Sequence, residues 1–303
     1  MKKKIALIDG YGFLFRAYFS MPPLSRDDGT PVGAVYGFTN MLIRLLANLN
    51  ASHICMIFDS GSKTFRNEIY SDYKANRPPC PEDLIPQFPL IREASESFDI
   101  AVLEKVGYEA DDLIATIAKD AAKKGFEVTI ISSDKDLMQL INDDISMFDP
   151  MKNKIITAKE VEEKFMVPPH QVLDVLSLMG DASDNVPGVM GIGPKISAEL
   201  ISKYQTLENL LENLDEIKQN KRRESLINGK ELAILSKELI TLCDSVPIDL
   251  NMEQFTVKPI NPKKLVAFLK EQGFRALEQR IIKEFDLNLP AEYQNNTKNG
   301  KKN

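Results

Sequence analysis

The sequence predicts an α/β fold, a mostly parallel twisted sheet flanked by helices, followed by a helical region with a helix–hairpin–helix-type motif. Three observations predict it. Short apolar runs rich in β-branched residues alternate with helical patterns through the first half of the chain, which argues for a parallel sheet with helices on both faces. Strand-like runs largely stop after about residue 158, and helical patterns dominate from there to Phe285. Within that second half stands "VPGVMGIGPKISAELI", where Gly188, Gly191 and Gly193 precede a helix with Pro194 at its first position.

In chain order the elements are "KIALID", a strand; "VYGFTNMLIRLLANL", a helix; "HICMIFD" and "IAVLE", two further strands; the amphipathic helix opened by "KVGYEADDLIATIAKDAAKKG"; and "EVTIISSD", a fourth strand. Residues 1–157 are therefore expected to form an α/β core and residues 158–289 a helical region with its hairpin at 186–200. Residues 290–303, with "NNTKNGKKN", read as a polar tail or linker. An insertion over about 60–98 is too long, and too rich in proline in its second part, for an ordinary connection. A long insertion beside a functional edge is commonly a lid or binding element.

The chain has 303 residues, 43% of them apolar, enough for a large core and two domains. Cys55, Cys80 and Cys243 form no CxxC spacing and leave one cysteine over, so neither a disulfide framework nor a zinc site is suggested, and a reducing cytoplasm fits best. Asp9 interrupts the first apolar run too early for a signal peptide, and no later run is long enough to span a membrane. His53 and His170 are the only histidines, which argues against histidine-based nucleophilic chemistry. Carboxylates must carry any catalysis.

The carboxylates are arranged for it. Three of the four strand runs end in Asp9, Asp59 and Asp134, and the remaining one leads within a few residues to Glu109, Asp111 and Asp112. In open α/β sheets the functional crevice lies at the carboxyl ends of the strands. Helix capping or dipole placement explains any one of these residues alone, but not four groups at one edge. Two carboxylates about 5 Å apart repel by roughly 3 kcal/mol at an effective dielectric near 20, so a tight cluster needs positive charge. "SSDKDL" adds Asp136 to Asp134, and "GDASDNVPG" adds Asp181 and Asp184, each pair spaced to present both side chains to one centre. Hard oxygen donors without His or Cys select Mg²⁺ or Mn²⁺. Two such ions, roughly 4 Å apart, suit phosphodiester hydrolysis.

The glycine-rich segment is not a nucleotide P-loop, because Pro194 separates Gly193 from Lys195. Its spacing suits a turn whose backbone N–H groups, with Lys195, grip successive phosphates of a duplex without reading bases. In the insertion, Lys63, Arg66, Lys74 and Arg77 are interleaved with Phe65, Tyr70 and Tyr73, the mixture a single-strand channel requires. The net charge of −6 is compatible with DNA binding once nine acids are set aside for metal, since the remainder carries a small excess of bases.

Together "LIDGYGFLFRAY", "AVYGFTNML", "IFD", "FRNEIYSDYKANR", "GYEADD", "SSDKDL" and "GDASDNVPGVMGIGPK", in this order, resemble the 5′-nuclease (flap endonuclease) domain of bacterial DNA polymerase I and its stand-alone relatives. The resemblance runs from Lys4 to about Leu289. It implies a PIN-like 5′-nuclease core and a structure-specific 5′-3′ exonuclease or flap endonuclease with two Mg²⁺ ions, Mn²⁺ substituting, acting in primer removal and repair. By it, Asp9, Asp59, Glu109, Asp111 and Asp112 surround the first ion, and Asp134, Asp136, Asp181 and Asp184 the second. Arg16, Arg66, Tyr73, Lys74 and Arg77 fall where the family steers or contacts the scissile phosphate and the threaded strand. The hairpin falls where the family holds duplex DNA, often with a monovalent cation such as K⁺.

The resemblance further implies DNA with 5′ flaps or 5′ ends as partner, RNA primer ends among them, no membrane, a monomer, and a cytoplasmic, nucleoid-associated location. A stand-alone exonuclease, a processed fragment and a domain coupled to a polymerase region all fit the length. Two rivals stand beside this reading: a Mg²⁺-dependent phosphatase, for which "IDGYG" lacks the second Asp two residues after the first, and a non-catalytic DNA-binding module.

Overall fold

The computed structural model describes residues 2–285, so the tail expected at 290–303 lies outside the described residues. Six strands form a mostly parallel sheet in the order β3-β2-β1-β4-β5-β6. They are β1 (Lys4–Asp9), β2 (His53–Ile57), β3 (Ala101–Leu103), β4 (Glu127–Ile131), β5 (Ile145–Asp149) and β6 (Lys154–Ile156). The chain divides into two compact units, each discontinuous in sequence, whereas the sequence reading divides it once, at 157/158.

One unit comprises residues 3–56, 80–103 and 251 onward. In β1, Ile5, Ala6, Leu7 and Ile8 are all buried, which is why the run is continuously apolar instead of alternating. Helix α1 (Gly10–Ser20) follows without a loop because Asp9 caps it, its Oδ1 accepting from the Gly12 N–H at 3.0 Å. Sequence analysis had no helix here, since two glycines and five aromatics in eleven residues are poor helix formers. α2 (Gly33–Ala47) packs on α1 at Gly37, where a Cβ would come within 2.8 Å of the Ala17 Cβ. The first turn of α2 is held from α4 (Gln87–Ser97) by Gln87, whose Oε1 accepts from the Ala34 and Val35 N–H groups. Farther along the chain, α12 (Pro262–Glu271) and α13 (Arg275–Glu284) belong to this unit.

The other unit comprises residues 57–79 and 104–250, with the N-terminal Lys2. It contains α3 (Phe65–Ile69), α5 (Ala110–Lys123), α6 (Ala158–Phe165), α7 (Val172–Met179), α8 (Pro194–Tyr204), α9 (Leu207–Glu212), α10 (Asn220–Asn228) and α11 (Lys230–Ile240). β4 and β5 run parallel, with Val128 opposite Ile145, while β6 is antiparallel to β5. Sequence analysis missed β5 and β6. The first is a five-residue run with Asp149 inside it, and the second is mostly exposed, so neither carries a strong pattern.

The helix α5 begins where its sequence says. Glu109 and Asp112 close a capping box, each side chain accepting from the other's backbone N–H, and Leu113, Ile114, Ile117 and Ala121 form the buried stripe. Among the described residues no helix is long and apolar enough to cross a membrane.

Candidate active site

Seven of the nine acids sit in the unit of residues 57–79 and 104–250 in two groups, with Asp111 beside them in the first turn of α5. The first group is built at the entrance to α5. Asp59 lies just past β2, and its Oδ1 accepts from the Ala110 N–H at 2.9 Å; burial pushes its carboxyl above the usual range despite that bond and the nearby Lys74. Glu109 accepts from Lys74 Nζ at 2.7 Å and from the Tyr73 hydroxyl at 3.2 Å. Burial, reinforced by the Glu109 charge, holds the Tyr73 phenol far above its ordinary value, so it stays a donor.

Two of the expected site residues are tied into the fold here. Asp112 is fully buried, and both its oxygens are used twice: Oδ1 by Arg66 and the Cys243 N–H, Oδ2 by Arg66 and the Glu109 N–H. No lone pair is left for a metal. Arg66, expected against a phosphate or the threaded strand, is 1% exposed and donates to Asp112, Leu239 O and Thr241 O. Arg66 also lies 3.5 Å from Glu109, so the pair ties this group to residues 239–243.

The second group lies in the loops after β4 and α7. Asp134 is exposed and accepts the Asp136 N–H at 2.8 Å in a tight turn. Asp136 Oδ1 is buried with no hydrogen-bond partner. Burial first, then the charge of Asp134, with Asp181 and Asp184 adding, pushes the Asp136 carboxyl up to about 7. Asp181 is bonded by Lys135 Nζ and by Ser183, which together hold its carboxyl below the ordinary range against the opposing effect of burial. Asp184 pairs with Arg77 at 2.5 Å and lies 3.7 Å from Lys74 Nζ.

The two groups are stitched to each other by the segment of residues 72–77. The Lys74 N–H donates to Asp184 O at 2.9 Å, Asn76 Nδ2 to Ala182 O at 2.6 Å, and Asn185 Nδ2 to Asp72 O at 2.7 Å. Lys74 itself has φ +58°, a left-handed conformation that a lysine holds only when its surroundings over-determine it. Tyr70 is half-buried and Lys63 exposed. Of the interleaved basic and aromatic residues, Tyr73, Lys74 and Arg77 meet Glu109 and Asp184.

Among the described residues no three Asp, Glu, His or Cys side chains stand together as a ready metal cage. The reason is visible: ammonium and guanidinium groups lie between the acids. Lys74 spans Glu109 and Asp184, and Lys135 spans Asp181 and Asp136. The donor set still fits hard divalent cations, since it is all carboxylate and one buried oxygen has no hydrogen-bond partner.

Sequence analysis missed Lys135, although it stands in the quoted "SSDKDL". It also missed Asp149, whose Oδ1 accepts from Ser133 Oγ at 2.7 Å and so anchors the residue before Asp134.

Asp9 and Arg16 belong to the unit of residues 3–56, 80–103 and 251 onward. Asp9 closes the turn into α1, where a Cβ on Gly12 would fall 2.7 Å from Asp9 Oδ2, and Arg16 is half-buried on α1.

At the glycine turn, Gly188, expected to offer its N–H, is buried and donates it to Ser236 Oγ at 2.9 Å. Its left-handed φ of +60° and its approach to Gly180 make it a packing glycine, because a Cβ would lie 2.4 Å from Gly180 N. Gly191 (φ +81°) and Lys195 are exposed, Gly193 precedes Pro194 at the start of α8, and Met190, just before Gly191, is 90% exposed.

Two family models match the chain in succession: the 5′-3′ exonuclease N-terminal resolvase-like domain over residues 4–166 and the 5′-3′ exonuclease C-terminal SAM fold over 167–263. The chain belongs to the 5′-3′ exonuclease family. A 5′-3′ exonuclease of Aquifex aeolicus is 38% identical over 283 residues, covering 93% of this chain and 96% of that protein. DNA polymerase I of Rhizobium leguminosarum is 46% identical over 301 residues, covering 96% of this chain but 30% of the polymerase, so the chain spans about a third of such relatives. The exonuclease fold is shared with the T5 D15 protein co-crystallized with metal ions (TM-score 0.68, 22% identity, 90% of this chain and 99% of that one). It is shared too with the catalytic core of Rad2 in complex with DNA substrate (TM-score 0.61, 18% identity, 89% and 88%).

Proposed function

We propose that this exonuclease-family chain hydrolyses DNA phosphodiester bonds at 5′ ends and at the base of 5′ flaps, with two Mg²⁺ ions that Mn²⁺ replaces. The observation that carries the reading is the buried Asp136 Oδ1, without a hydrogen-bond partner and only 3.9 Å from Lys135 Nζ, beside Asp134, Asp181 and Asp184, an arrangement costly in a folded protein unless a cation relieves it. Asp134, Asp136, Asp181 and Asp184 would hold one ion; Asp59, Glu109 and Asp111 would hold the other. Bound there, the pair supplies an activated water and stabilises the leaving oxygen.

The chain's own groups do the rest. Tyr73 stays protonated and donates. Lys74 and Arg77, kept cationic against burial by Glu109 and Asp184, supply positive charge where phosphate charge develops. Gly191, Gly193 and Lys195 grip duplex phosphates, with K⁺ as a candidate ion at the turn, while Arg16, Lys63 and Tyr70 guide the 5′ strand. Residues 1–157 act as the catalytic core and 158–289 as the DNA-binding region. Primer removal and repair, on DNA or RNA-primed 5′ ends, as a monomer in the nucleoid and with or without a coupled polymerase, is the setting that follows. The test is release of product from a 5′-labelled flap duplex with Mg²⁺, run beside a small phosphate ester. Hydrolysis of the ester, or duplex binding without cleavage, would return the phosphatase or the binding module respectively.

A further inference from the structure

The second acidic group contains a cation of the protein's own. Lys135 stands between Asp134 and Asp136 in sequence, and its Nζ bonds Asp181 and lies 3.9 Å from Asp136 Oδ1, the buried oxygen that nothing else satisfies. Lys164, which also faces this cluster, is committed elsewhere: its Nζ lies 3.8 Å from Met138 Sδ and over the Phe165 ring. Arg77 and Lys74 meet the cluster at Asp184, not at Asp181 or Asp136. Lys135 is thus the cation that holds the Asp181 and Asp136 side of the group together.

A lysine suits a provisional occupant. Its charge is a compact point on a flexible four-carbon stem, and the Lys135 side chain is 29% exposed, so it already meets solvent while it pairs. An arginine fork bonded on both sides, like Arg66, does not. We propose that Lys135 is a resident counter-ion of the second acidic group, occupying it until a divalent ion arrives and being displaced to solvent when it does. Metal binding there is an exchange of one charge for two, and Lys135 sets its affinity.

This inference rests on the reading of Asp134, Asp136, Asp181 and Asp184 as metal ligands, and the experiment separates the two. Mn²⁺ binding to the full chain is followed by electron paramagnetic resonance, without DNA, for the wild type, Asp136→Asn and Lys135→Met. Asp136→Asn losing one Mn²⁺ supports the ligand reading; an unchanged stoichiometry and affinity sinks it and this inference with it. With the ligand reading intact, Lys135→Met should bind that Mn²⁺ about tenfold tighter, because a competing charge within 4 Å is gone. Equal or weaker binding overturns the counter-ion role alone. A second measurement needs no variant: in the wild type, acylation of the Lys135 amine by a water-soluble ester should speed up when Mn²⁺ replaces EDTA. An unchanged or slower rate overturns the proposal.

Discussion

Arg66 holds Asp112 through two parallel hydrogen bonds of 2.7 and 2.8 Å, with both side chains out of contact with solvent. The pair joins α3 to the start of α5 and, through Leu239 O and the Cys243 N–H, to the end of α11. Breaking one partner of such a pair leaves a buried charge. Arg66→Met or Asp112→Leu should therefore each cost about 3–5 kcal/mol in denaturant unfolding, and the double variant should recover much of it. Single variants within 1 kcal/mol of wild type would show that the pair is not what holds these elements.

Asp149 gives the expected pH dependence. Its carboxyl is lowered because the bonds from Ser133 Oγ and the Met151 and Lys152 N–H groups outweigh the cost of burial. A depressed folded value means stabilisation that is present above the ordinary carboxyl range and lost as pH falls through it. Asp149→Ala should unfold about 1–3 kcal/mol more easily at pH 7, and the gap to wild type should close as pH falls from the ordinary carboxyl range through the lowered folded value. A gap independent of pH would assign the loss to packing.

The opposite sign applies at Asp136. With its carboxyl raised to about 7, ionisation costs the folded state nothing below the ordinary range, progressively more up to pH 7, and the full amount above. In EDTA at pH 8, Asp136→Asn should therefore be more stable than wild type, and adding Mg²⁺ should stabilise wild type more than the variant. Equal melting temperatures in EDTA would show that the group carries no such burden.

The carboxylates were legible because their placement after strands is a local pattern: Asp9, Asp59, Asp134 and Asp136 can be found without knowing any long-range contact. The roles of cations were not. Arg66 reads as one more base in "FRNEIYSDYKANR", and only the fold brings it to Asp112, forty-six residues away, and buries both. Gly188 and Gly191 look alike in "GVMGIG", yet one packs against Gly180 and the other faces solvent. Helix α1 was hidden because its stability comes from burial of Phe13, Leu14 and Ala17 and from the Asp9 cap, not from propensity.

That difference between glycines is itself testable. Gly188→Ala should destabilise the fold strongly, since its Cβ meets backbone of Met179 and Gly180 at 2.7 Å or less in a left-handed conformation. Lys195→Ala should leave the melting temperature unchanged, weaken duplex binding across sequences, and reduce the salt slope by about one phosphate. Unaltered affinity for Lys195→Ala would remove the turn from the duplex contact.

The central claim is that two acidic groups bind divalent ions for cleavage at a 5′ end. The direct measurement is single-turnover cleavage of a 5′-labelled flap duplex over a Mg²⁺ titration, with duplex affinity determined in parallel, for wild type, Asp134→Asn and Asp184→Asn. The account predicts Mg²⁺-dependent cutting near the flap base by wild type, and a loss of at least a hundredfold in both variants with affinity changed only a few-fold. Full turnover of both variants at saturating Mg²⁺, or equal cutting in EDTA, would contradict it.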